Sequence, residues 1–115
     1  HETLALAKMF SSKEDIIQMY QTSISSTHGL CRSKLMEGVI QGKMHDEINL
    51  LMSTKIPICI LHGKNDPAVN VEYVEKINPP TLFKNKIHIL EGDHSIQSSA
   101  SIEFNEMIDN FVSSL

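Results

Sequence analysis

Two positions in this sequence couple a proton-handling side chain to the end of an apolar run. Asp66 follows Ile58-Cys59-Ile60-Leu61 across the turn residues Gly63-Lys64-Asn65. His94 follows Lys86 to Leu90 across Glu91-Gly92-Asp93, and the two lie 28 residues apart. An aspartate that meets an imidazole fixes its tautomer and stabilises the imidazolium, while the histidine moves the proton. Simpler readings stand beside this one. Asn65-Asp66-Pro67 favours a turn by itself, and His94 could be an ordinary loop histidine. Asp93, next to His94, reads as a solvated turn residue. His62 ends the first run, where it could touch a ligand or simply hydrogen-bond locally. His88 falls inside the second run and reads as structural. His45-Asp46-Glu47 holds metal-ligand types, but adjacent residues on a helix do not converge on one ion. His62, Asp66 and His94 could meet in space, yet no metal and no cofactor is expected.

The elements that must position Asp66 and His94 can be read outward from them. The run Ile58 to Leu61 after Pro57 suits a strand covered on both faces, as in a parallel sheet. Asn70 can cap a helix with Val71, Val74 and Ile77 on one face, ended by Asn78-Pro79-Pro80. Lys86 to Leu90 is a second strand. Phe104, Met107, Ile108, Phe111, Val112 and Leu115 then recur at helical spacing. From Ile56 onward the order is strand, helix, strand, helix, which predicts parallel strands. Asp66 and His94 then sit on loops at the same sheet edge, where open parallel sheets bind ligands.

The first half reads as helices. Ser11-Ser12-Lys13-Glu14 fits a capping box, followed by Ile16, Ile17, Tyr20 and Ile24 at helical spacing. Thr22 to Gly29 is polar and reads as a loop. Leu35, Met36, Val39 and Ile40 mark another helical face, with Gly42 as its stop. A short helix is expected from Asp46 to Ser53. The methionines fall mostly on helical faces, as core or lid lining.

Ile56-Pro57-Ile58-Cys59-Ile60-Leu61-His62-Gly63-Lys64-Asn65-Asp66-Pro67 resembles the acid-bearing segment of α/β-hydrolases: a proline, an apolar strand, a glycine, two residues, an aspartate. Lys86-Ile87-His88-Ile89-Leu90-Glu91-Gly92-Asp93-His94-Ser95 resembles their final strand and histidine loop, and Ile102 to Val112 their closing helix. The order of acid and histidine agrees with the family's. The resemblance implies an α/β fold, with residues 55–115 as the C-terminal βαβα part of the hydrolase sheet. It implies that residues 1–54 are the end of a helical lid and the helix returning to the sheet. Asp66 and His94 would be the triad's acid and histidine in a serine hydrolase acting on an ester or related acyl bond of a small molecule.

The family's nucleophile motif, G-x-S-x-G between a strand and a helix, begins at none of the five glycines. Gly29-Leu30-Cys31-Arg32-Ser33 is a partial variant without a preceding strand. The 115 residues are therefore expected not to be competent alone, and to need an N-terminal part or another chain to complete the sheet. Two outer strand edges would otherwise stay bare. Two other functions keep the same residues. One is epoxide, haloalkane, carbon–carbon or thioester chemistry on the same fold. The other is a non-catalytic or truncated relative acting as a binding or structural module.

Composition narrows the partners. The formal net charge is -4, with 21% charged and 41% apolar residues. No basic cluster exists to release counterions from a nucleic acid or an anionic membrane, and no apolar stretch reaches membrane-spanning length. Two cysteines are too few for a disulfide framework and fit the cytoplasm.

Overall fold

A computed structural model describes residues 2–115; His1, the first residue of the expected helical segment, lies outside them. Four helices come first: α1 (Glu2–Ala7), α2 (Glu14–Ser26), α3 (Gly29–Ile40) and α4 (Glu47–Ser53). Then follow β1 (Leu61–Gly63), α5 (Val71–Val74), a 3-10 turn (Phe83–Asn85), β2 (His88–Leu90), α6 (Ile96–Ser99) and α7 (Ser101–Val112). The two strands are parallel neighbours, with Leu61 opposite His88, His62 opposite Ile89 and Gly63 opposite Leu90.

Local chemistry accounts for several boundaries. Asp46 accepts from the Asn49 N–H at 3.0 Å and starts α4. Asn70 accepts from the Glu72 N–H at 2.8 Å and starts α5. Gly42 ends α3 with φ of 64°, the left-handed conformation that glycine adopts without a Cβ penalty. Three expectations need correction. The polar stretch after Thr22 is not a loop, because α2 runs to Ser26. Thr22 and Ser23 turn their hydroxyls back to the carbonyls of Gln18 and Met19, which satisfies them within the helix. The capping box does not form: Lys13 is the N-cap of α2 and makes no side-chain cap. The helix after Asn70 is one turn long and leaves Ile77 outside it.

The first strand also sits later than its apolar run. Ile58 pairs with Leu82 in an isolated bridge, and continuous pairing begins only at Leu61. Ile58, Cys59, Ile60 and Leu61 are half-buried rather than covered on both faces. The core is correspondingly small: Ala7, Ile16 and Ile17 under the first helices, and Val74, Leu82, Leu90 and Ile96 around the strands. Leu35, Met36, Val39 and Ile40 share α3 but stay exposed. The chain exposes 8174 Å², against about 6,300 Å² for a self-contained domain of this mass. Its radius of gyration is 16.1 Å, against about 13 Å for a compact one.

Candidate functional site

Two backbone bonds fasten the loop after β1 to the end of β2 and the loop that follows it, and a third closes the first loop on itself. The Lys64 N–H donates to the Leu90 carbonyl and the Asn65 N–H to the Gly92 carbonyl, each at 2.9 Å, and Asp66 closes its own turn onto Gly63. This approach requires a glycine. A Cβ on Gly63 would stand 2.1 Å from the Asp93 carbonyl oxygen and 2.8 Å from that of Gly92.

The loops bring Asp66 and His94 together. His94 Nδ1 is 2.9 Å from Asp66 Oδ2. The other carboxylate oxygen accepts from the Ala68 N–H at 2.7 Å and the Val69 N–H at 3.0 Å. The Asp66 side chain is 5% exposed and that of His94 33%. Burial alone would raise the Asp66 carboxyl; the bond from His94 and those from Val69 and Ala68 outweigh it and hold the carboxyl below its ordinary range. An ionised carboxylate only accepts, so Nδ1 carries a proton, and in the neutral imidazole Nε2 is then the nitrogen with the lone pair. Such an imidazole can take a proton at Nε2 while the charge it gains is met at Nδ1.

His62 lies close to the pair. Its Nδ1 is 3.9 Å from Asp66 Oδ2, too far for a hydrogen bond, and its buried Nε2 has no partner. His88 is buried, with its ring 5.4 Å from that of Phe83. Cys31 sits exposed in the first turn of α3, with no strand leading into Gly29. Among the described residues no three His, Cys, Asp or Glu side chains are grouped to hold a metal ion, and no helix is long and apolar enough to cross a membrane.

The reading of Asp93 as a solvated turn residue is overturned. Asp93 is 6% exposed and takes the hydroxyl of Ser11, itself 2% exposed. That contact also explains the missing capping box, because it turns the Ser11 side chain toward Asp93 and away from the Glu14 N–H. The hydroxyl oxygen accepts only the nearby Lys13 N–H, at 3.1 Å. Two further residues escaped the sequence reading. The Phe10 ring lies 5.3 Å from the His94 ring and stacks on Tyr20 at 4.9 Å. Ser95, fully buried, donates to the Tyr20 hydroxyl at 2.8 Å. No local pattern marks the contacts of Phe10 with His94 or of Ser95 with Tyr20, the latter joining residues 75 apart. A cleft of about 550 Å³ opens beside them, lined by Lys8, Ser12, Glu14, Asn65 and Pro67 among others, between the first helices and the Asp66 loop.

No protein-family model matches the sequence, and no curated protein matches it. Solved structures of the N-acyl homoserine lactonase AidH do match the fold. One, a variant complexed with N-hexanoyl homoserine lactone, superposes with a TM-score of 0.82 at 18% identity, over 96% of this chain and 41% of that one. Another, complexed with N-butanoyl homoserine, gives 0.82 and 18%, over 96% of this chain and 40% of that one. This chain thus spans about 40% of the length of the structures it matches, and its fold is that of the C-terminal portion of an α/β-hydrolase.

Proposed function

We propose, from the α/β-hydrolase fold as premise, that this chain supplies the acid and the histidine of a serine hydrolase that cleaves an ester-type acyl bond. The observation that carries the reading is the 2.9 Å contact between His94 Nδ1 and Asp66 Oδ2, with Asp66 itself oriented by two backbone N–H groups. Residues 1–54 serve as the end of a lid over the site, and residues 55–115 as the sheet portion that holds the pair. The nucleophile and the oxyanion donors come from outside these residues, from a preceding part of the chain or a second chain.

The proton path follows from the tautomer. A serine hydroxyl attacks the substrate carbonyl carbon as His94 Nε2 removes its proton, and Asp66 stabilises the imidazolium. When the tetrahedral species collapses, the carbon–oxygen bond to the leaving group breaks and His94 returns the proton to that oxygen. Water then repeats the sequence, releasing the acid and regenerating serine. A lactone is a cyclic ester, so the substrate named for the similar structures falls within this class.

The test is a fluorophosphonate probe on the full-length protein. Labelling is expected to drop at least about a thousandfold in His94→Ala and by up to about ten-thousandfold in Asp66→Asn, which strands the wrong tautomer. Labelling of His94→Ala at the wild-type rate would remove His94 from the reaction.

A further inference from the structure

At the junction of the α1–α2 turn with the His94 loop, one carboxylate bonds to both sides. Asp93 Oδ2 accepts from the Ser11 hydroxyl and, at 3.4 Å, from the Ser12 N–H. Asp93 Oδ1 accepts from the Ser95 N–H at 2.9 Å. One oxygen reaches across to the helical half, and the other closes the loop around His94. Lys13 reinforces the junction by donating its ammonium to the Ser99 carbonyl at 2.8 Å. Elsewhere the first four helices touch the strands only sparsely.

The same turn delivers Phe10 to the face of the His94 ring. Tyr20, stacked on Phe10, is bonded to Ser95, the residue after His94. His94 is thus bounded by Asp66 at Nδ1 and by Phe10 along its ring. The arrangement depends on the turn staying in place. Burial by itself would raise the Asp93 carboxyl, yet the hydroxyls of Ser11 and Ser99 and the N–H groups of Ser95 and Ser12 bring it below its ordinary value. Withdrawing residues 11 and 12 would leave a buried carboxylate short of donors, which is costly. The clasp is therefore closed or open, with little between.

We propose that Asp93 is a positioning residue: it clasps residues 10–13 to the His94 loop and so holds the Phe10 ring against His94, in the rotamer that meets Asp66. The proposal rests on the reading of His94 as the proton carrier. In consequence, the helical segment that would cover the substrate also determines whether the base is correctly aimed.

The experiment uses the full-length protein with Asp93→Asn, Ser11→Ala and Phe10→Leu, each checked for folding by thermal unfolding. Two readouts separate positioning from bulk stability: the imidazole tautomer of His94 by nitrogen NMR, and kcat against KM for a chromogenic ester. In Asp93→Asn and Ser11→Ala, kcat is expected to fall about tenfold to a hundredfold, with KM changed less, and the Nδ1–H form to lose its dominance. The double variant should be little worse than either single one, because both break one contact. Unchanged tautomer and kcat in folded Ser11→Ala or Phe10→Leu would overturn the proposal, even if Asp93→Asn fails to fold. Losses that are simply additive would also overturn it. If wild type hydrolyses no ester, the functional reading fails, while the tautomer measurement still decides whether Asp93 positions His94.

Discussion

Replacing Gly63 by alanine tests the geometry of the site most directly. The new Cβ would lie 2.1 Å from the Asp93 carbonyl oxygen and 2.8 Å from the Asp93 carbonyl carbon and the Gly92 oxygen. An ordinary carbon–oxygen contact is about 3.3 Å, so the two loops must separate by about 1 Å. All three obstructing atoms are main chain, so no side-chain rotation relieves the clash. The bonds from Lys64 to Leu90 and from Asn65 to Gly92, both 2.9 Å, would stretch to about 3.9 Å and cease to be hydrogen bonds. His94 rides on the displaced segment, so its contact with Asp66 lengthens as well. A misplacement of about 1 Å costs about a hundredfold in rate, or about 2.7 kcal/mol of transition-state stabilisation. Overpacking adds about 1–3 kcal/mol of lost stability. The assays are ester turnover at saturating substrate and thermal unfolding of the full-length protein. Gly63→Ala with turnover within about twofold of wild type would refute the claim that this close approach sets the Asp66–His94 distance.

Other outcomes follow from the same contacts. Asp66 and Asp93 both have lowered carboxyl pKa values, so the stability they contribute is fully present above about pH 4. It is lost as pH falls through their lowered folded-state values. Acid unfolding of Asp66→Asn and Asp93→Asn should be correspondingly shallower, and an unchanged slope would contradict this. His62→Leu removes a buried nitrogen without a partner and is expected to change unfolding free energy by less than about 1 kcal/mol. A loss well beyond that would mean His62 supports Asp66 directly. Asn70→Ala deletes the cap of α5 and should cost about 1 kcal/mol by denaturant unfolding.

What could be read from the sequence was whatever local chemistry decides. Asn70 and Asp46 announce helix starts because their own side chains do the capping, and Gly42 a stop because its backbone adopts positive φ. The placement of Asp66 and His94 at one sheet edge followed from two apolar runs and a parallel connection. Asp93 escaped because its partner, Ser11, lies 82 residues away. The same contact displaced the capping box, since a hydroxyl turned toward a distant carboxylate leaves its oxygen facing only the Lys13 N–H. Thr22 and Ser23 look like loop residues in composition, yet their hydroxyls are satisfied inside α2. The run Ile58 to Leu61 announces a strand but misplaces it, because Ile58 takes an isolated bridge from Leu82 and pairing with β2 begins only at Leu61.

The two buried carboxylates each accept a separate pair of backbone amides. Ala68 and Val69 donate to Asp66, whereas Ser12 and Ser95 donate to Asp93. Each pair is thus a built-in reporter. In a two-dimensional amide spectrum recorded through an acid titration, Ala68 and Val69 will shift together along one curve and Ser12 and Ser95 along another. The residues that orient the imidazole and those that fasten the helices can thereby be followed separately in the one molecule, without substitution.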